Sequence, residues 1–238
     1  MNLQERGIQA LFFDYGGTLD SPGIPWREHF YSIYQRHGVK VPMDLFARAF
    51  YASDDSLVAE NPVHMNLTDI VMEQVKRVLK HLGLYDSSLQ KIIASSFLKD
   101  SFEHIDRAKG VLSRLGQNFR LGIISNNYGN LENICRETGL DSLMDVMVDS
   151  NAVGCIKPDP RIFEAGIKAL KVDASSSMMV GDSHARDIKG ALNCGMAAAW
   201  LVPAGRSGIA GPGQEEVPVI HGLQELHALL GIQVPAGS

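Results

Sequence analysis

The chain has 238 residues, 45% of them hydrophobic and 21% charged, which excludes collagen-like and disordered compositions and leaves length for one large domain or for a core carrying a smaller insertion. The formal charge is −5 at pH 7 with no block of Lys or Arg; this argues against nucleic acid as a partner, since phosphate backbones are held by clustered cations, and favours small molecules. The apolar run Ile8 to Phe13 is too short for a signal core or a membrane span, and Cys135, Cys155 and Cys194 form no C-x-x-C pair, so a cytoplasmic protein with reduced thiols and no membrane partner is expected.

In chain order, the first predicted element is a buried strand, Ala10–Phe13, which runs into Asp14-Tyr15-Gly16-Gly17-Thr18-Leu19. From about Ser21 to Phe102 the pattern changes, and helical stripes follow one another without a convincing strand. The stripes are Trp26, Phe30, Ile33 and Tyr34; then Leu45, Phe46, Ala49 and Phe50; then Ile70, Val71, Val75, Val78, Leu79 and Leu82. A last stripe, Leu89, Ile92, Ile93 and Phe97, follows Ser87, which with Gln90 reads as a capping box. Most of these aromatics are expected in a packed core.

Beyond this stretch, strands and helices alternate. Leu121–Ile124 is a strand that ends in Ser125-Asn126-Asn127, followed by a helical stripe through Leu131, Ile134, Cys135 and Thr138 that stops at Gly139. Val146–Val148 is the third strand, and Lys157-Pro158-Asp159-Pro160 then opens a helix with Asp159 as N-cap and Pro160 at the first helical position. Met178–Val180 leads into Gly181-Asp182-Ser183-His184-Ala185-Arg186-Asp187 and a helix stopped at Gly195. A fifth strand, Ala198–Val202, a Gly/Pro-rich surface loop, Pro203–Pro218, and a short closing helix, Leu223–Leu230, complete the chain. The strand runs do not alternate with polar residues, as expected for strands buried on both sides. The fold class is therefore α/β, a Rossmann-like parallel sheet built from 1–20 and 103–238, with an inserted α-helical unit over 21–102.

Four strand ends carry residues suited to chemistry at the edge where open α/β sheets bind ligands. Asp14 is a carboxylate at a strand end in a Gly-Gly turn, where a turn-capping Asp is the alternative reading. Ser125 offers a hydroxyl before a helix N-terminus, a natural phosphate-oxygen site and also an ordinary N-cap. Lys157 is held in a stiff turn, where it would neutralise a carboxylate and a phosphoryl group together or simply face solvent. Asp182 and Asp187 supply the hard oxygens that Mg²⁺ prefers, or else a helix cap and a salt bridge to Arg186 or Lys189.

Taken together and in order, these segments resemble the four motifs of the haloacid dehalogenase superfamily, and the resemblance covers nearly the whole chain. Asp14 with Thr18 matches the nucleophile loop, Ser125 the second motif, Lys157 the third, and Asp182 with Asp187 the acidic fourth. The helical stretch between the first two motifs is similar to the cap that many members insert there to exclude water and select substrate. The resemblance implies a hydrolase, most simply a phosphatase acting on a small phosphorylated metabolite through an aspartyl-phosphate on Asp14. It implies a Mg²⁺ held by Asp14, the Gly16 backbone carbonyl and Asp182, with Asp187 acting indirectly. Thr18, Ser125, Asn126 and Lys157 would bind the phosphoryl group, and Lys157 would share in catalysis.

One position departs from the pattern. Phosphatases of this family carry a second aspartate two residues after the nucleophile, as acid to the leaving group and base for water; here that residue is Gly16. Mg²⁺ binding through a backbone carbonyl should survive, but proton transfer, worth ~10²–10⁴-fold, needs another source. Candidate replacements are Asp20, His29, Asp54, Asp55 and His64. Two other readings follow from Gly16: a weak or inactive protein that binds a phosphorylated ligand, and a dehalogenase-like or phosphonatase-like hydrolase. The acidic fourth motif counts against a dehalogenase, and Lys40, Lys76 and Lys80 sit in no motif of the Schiff-base kind that a phosphonatase needs.

Overall fold

The computed structural model describes residues 6–206 and 217–233. Six strands, β1 Ala10–Phe13, β2 Arg120–Ser125, β3 Val146–Asp149, β4 Ser177–Gly181, β5 Ala197–Leu201 and β6 Val219–Ile220, form one sheet in the order β3-β2-β1-β4-β5-β6. Every neighbouring pair is parallel, so the expected Rossmann-like α/β core is present. All five expected strands are found; β6 was not anticipated, because two residues carry no periodicity. Of the expected loop Pro203–Pro218, residues 207–216 lie outside the described residues.

The helices are α1 Trp26–Arg36, α2 Met43–Glu60, α3 Leu67–His81, α4 Ser87–Leu115, α5 Leu131–Thr138, α6 Ser150–Val153, α7 Pro160–Leu170, α8 Lys189–Asn193 and α9 Glu225–Leu229. Alternate side chains of β1 serve two cores. Leu11 and Phe13 join a cluster with α4 (Ile105, Ala108, Leu112, Leu115) and α5 (Leu131, Ile134, Cys135). Ala10 and Phe12 join a second cluster with Ile162 and Phe163 of α7 and Ala191 of α8. Both faces of the sheet are thus covered, which is why its strands read as continuous apolar runs.

α1, α2, α3 and the first half of α4 form the helical layer over 21–102. Its aromatic core, in which Phe30 stacks on Phe97 at 3.9 Å, is contiguous with the first sheet cluster. α4 is a single 29-residue helix, so the expected boundary between 102 and 103 falls inside one element. Two local expectations are corrected. The N-cap of α4 is Asp86, whose Oδ1 accepts from Leu89 N at 2.7 Å, and Gln90 donates instead to the Met72 carbonyl at 3.0 Å. A carboxylate is the stronger acceptor for the free helix N–H groups, and the buried Gln90 amide is satisfied by the second lone pair of the Met72 carbonyl. Leu45 and Ile92, placed on apolar stripes by periodicity, are 40% and 50% exposed. No helix among the described residues is long and apolar enough to cross a membrane.

Candidate active site

Strand register brings the site together. Phe13 pairs with Ile123 of β2 and with Val180 of β4, so Asp14 lies one residue past β1, flanked by the ends of β2 and β4. The Asp14 N–H still donates to Val180 O at 2.9 Å. After Asp14 the chain turns sharply: Gly17 has φ +92, and a Cβ there would lie 2.6 Å from the Asp182 carboxylate. Only glycine allows the loop to close this tightly over the end of β4. Asp20 holds the turn by accepting from Gly17 N at 2.7 Å.

At the centre is Lys157, 2% exposed. Its Nζ lies 2.7 Å from Asp14 Oδ1 and 2.7 Å from Asp187 Oδ1, and donates to Ile124 O at 2.7 Å. The ammonium thus donates to one main-chain carbonyl and lies in ion-pair contact with two carboxylates. Burial pulls the Lys157 ammonium down, but the charges of Asp14 and Asp187 outweigh it and hold the group above its ordinary value. Asp187 is fully buried and also accepts from Ser183 N at 2.9 Å; its partner is Lys157, not the Arg186 or Lys189 considered from sequence.

Ligand oxygens of Asp14, Asp182 and Asp187 all lie within 4.8 Å of one another. Asp182 Oδ2 is buried without a hydrogen-bond partner, and the Thr18 hydroxyl reaches Oδ1 only at 3.5 Å. Burial first, and then the charges of Asp14 and Asp187, push Asp182 up to about 8; burial also raises Asp187, with Lys157 working against it and Asp14 adding to it. Three buried carboxylates face one ammonium, so the cluster has excess negative charge and an orphaned hard oxygen. That donor set fits a divalent cation such as Mg²⁺.

A cavity of about 270 Å³ opens above Asp14, lined from the core by Ser125, Asn126, Tyr128, Lys157 and Arg186. Its helical walls include Trp26, Arg27 and Glu28 of α1 and Phe50, Tyr51 and Asp54 of α2. The structure thus brings Asp14, Gly16, Ser125, Asn126 and Lys157 to one cavity, with Asp182 and Asp187 gathered around Lys157 and Asp14. Thr18, expected on the phosphoryl group, is fully buried and does not line the cavity. Asn126 lines it, but its carboxamide is engaged with Lys157, accepting from Lys157 N at 2.8 Å and donating to Lys157 O at 3.3 Å. The helix N-terminus expected at Ser125 is displaced: α5 begins at Leu131, and Asp149 accepts from Leu131 N at 3.1 Å and from Gly129 N at 3.0 Å. That carboxylate closes the helix end to other anions.

Position 16 has a physical reason for being glycine. A Cβ there would sit 3.1 Å from Trp26 Nε1, so the indole fills the space a side chain would enter. Trp26 is itself anchored, donating from Nε1 to the Asp20 carboxylate. Sequence reasoning missed this wall, as it missed Trp200, whose Nε1 donates to Asp182 O at 2.8 Å. Neither indole has a local signal. Asp149 did have one: like Asp14 and Asp182, it is a carboxylate at the C-terminal end of a parallel strand.

A family model described as a haloacid dehalogenase-like hydrolase matches residues 8–195. The chain belongs to this family of hydrolases. Among its relatives is haloacid dehalogenase-like hydrolase domain-containing protein 3 of Mus musculus, 34% identical over 94% of this chain and 92% of that protein. Glyceraldehyde 3-phosphate phosphatase of Methanothermobacter thermautotrophicus is 29% identical over 80% of this chain and 84% of its own length. A solved structure of the HAD-hydrolase YfnB from Bacillus subtilis, bound to magnesium, shares the fold with a TM-score of 0.60 at 22% identity, covering 94% of this chain and 99% of that one.

Proposed function

We propose that the chain is a Mg²⁺-dependent phosphatase acting on a small phosphorylated metabolite through an aspartyl-phosphate on Asp14. The observation that carries this reading is the gathering of Asp14, Asp182 and Asp187 around Lys157 at the foot of the cavity. The relative that is a glyceraldehyde 3-phosphate phosphatase supports the same class of substrate.

Asp14, Asp182 and the Gly16 carbonyl would hold the metal, with Asp187 acting through Lys157. When bound, Mg²⁺ supplies charge neutralisation for the carboxylates and the phosphoryl oxygens. Asp14 uses the oxygen not paired to Lys157 to form a bond to phosphorus as the ester P–O bond breaks. Lys157 and Ser125 stabilise the charge on the equatorial oxygens, and Asn126 fixes the Lys157 main chain so that the ammonium stays in place. Trp26 and the α2 residues over the cavity keep bulk water from the reacting centre.

The test is turnover on a panel of phosphate esters with and without Mg²⁺, comparing wild type with Asp14→Asn. Mg²⁺-dependent release of phosphate, lost by at least ~10³-fold in Asp14→Asn, is expected. The close approach of Trp26 to Gly16 also favours a second reading, a pocket that binds a phosphorylated ligand without turning it over. Phosphate-analogue binding that requires Mg²⁺, with no turnover on any ester, would establish that reading instead.

A further inference from the structure

The five residues that sequence nominates to replace the missing acid at Gly16 are not equivalent in space. Asp20 does not line the cavity, and its two oxygens already accept from Gly17 N and Trp26 Nε1. His29 faces away, 3.2 Å from Asp100 in a separate cavity with His104. Asp55 and His64 are exposed and line no part of the Asp14 cavity. Asp54 alone of the five lines it.

The other cavity carboxylates are committed elsewhere. Asp14 is paired with Lys157, and Glu28 lies 3.3 Å from Arg27 and 3.8 Å from Arg206. Asp54 is half-buried on α2 and accepts the hydroxyl hydrogen of Tyr128, which stands three residues past Ser125 on the core side. That bond occupies Oδ1 and leaves Oδ2 to carry a transferable proton.

We infer that Asp54, delivered from the helical layer and oriented by Tyr128, is the general acid and base of this site, taking the role that Gly16 cannot fill. The inference rests on the phosphatase reading above. In the first half-reaction the Asp14–phosphorus bond forms, the ester P–O bond breaks, and the Oδ2 proton passes to the departing oxygen, which leaves as an alcohol. In the second, water attacks the aspartyl-phosphate, its proton returns to the Asp54 carboxylate, the Asp14–phosphorus bond breaks, and inorganic phosphate is released. The charge environment agrees with this role: burial first raises Asp54, Tyr128 works against it, and Asp55 on the same helix and Arg186 from beyond β4 oppose each other.

The experiment compares kcat/KM for an alkyl phosphate and for nitrophenyl phosphate, whose leaving group departs as a stable anion, in wild type, Asp54→Asn and Tyr128→Phe with Mg²⁺. Asparagine retains an acceptor for Tyr128 but has no proton to give. Asp54→Asn is expected to lose ~10²–10³-fold on the alkyl ester and about tenfold or less on the aryl ester, while Tyr128→Phe loses a modest and similar factor on both. Equal losses on the two esters in Asp54→Asn, or a Tyr128→Phe pattern matching it, would overturn the acid role and leave only a contact that holds α2 to the core. Absence of turnover in wild type on either ester would instead defeat the phosphatase reading itself, and Asp54 with it.

Discussion

Lys157 reaches three acceptors at 2.7 Å from a position with almost no solvent, and two of them are carboxylates that pair with no other cation among the described residues. Removing the ammonium would leave like charges buried side by side. Lys157→Met is therefore expected to lower the unfolding free energy by ~3–5 kcal/mol in urea titrations without metal, with part of the loss recovered on adding Mg²⁺; a change under about 1 kcal/mol would mean that the carboxylates take up protons at no cost. His104 gives a pH signature of opposite kind. Burial, and then the charge of Arg107, lower it to about 4 from an ordinary value of 6.5. The unfolded chain binds this proton first, so the contribution of neutral His104 to stability is complete above about 6.5 and is lost as pH falls toward about 4. In His104→Gln the melting temperature should fall less steeply across that window than in wild type. At this scale the clustering of Asp14, Asp182 and Asp187 could be anticipated because they sit in short motifs just past strand ends, whereas Lys157 stands beyond α6, carried back to the site by the loop that follows it. Trp26, Tyr128 and Trp200 could not, because their partners Gly16, Asp54 and Asp182 lie in other segments, and only the folded chain brings them within reach.

α4 illustrates what periodicity can and cannot define. The stripes before Phe97 announce a helix, but nothing between Phe102 and Leu115 signals a break, and the structure continues the helix to Leu115. Its first half packs in the helical layer and its second half on the sheet, with Ile105, Ala108, Leu112 and Leu115 buried. The one interior glycine of the second half, Gly110, is exposed and has open space where a Cβ would stand. Gly110→Ala should raise the unfolding free energy by ~0.5–1 kcal/mol in chemical denaturation, without affecting turnover. A loss of stability would show that the helix needs its glycine for a reason other than space. Elsewhere, helix ends were read well where the cap is local. Asp159 accepts from Arg161 N with Pro160 following, and Gly139 takes φ +73 after α5. They were misread where a distant side chain competes, as with Asp149 at the start of α5.

In the whole molecule, fold class was readable because strand, motif and helix alternate in register with one another. The way the helical layer merges with the sheet was not, since a contiguous core leaves no mark on local pattern. β1 lies in the middle of the sheet, yet Ala10 pairs with Arg120 on one side and with Ser177 on the other. Both contacts close very long stretches of chain, and such closures contribute late and slowly to folding. β1 must therefore wait for β2 and β4, both later in the chain, before it can be enclosed. Asp14, at its end, meets Lys157 and Asp182 only when that wait is over, so a partly folded chain carries the Asp14 carboxylate without the assembled charge around it. The charged cluster at the end of β1 is thus tied to the enclosure of that strand between β2 and β4.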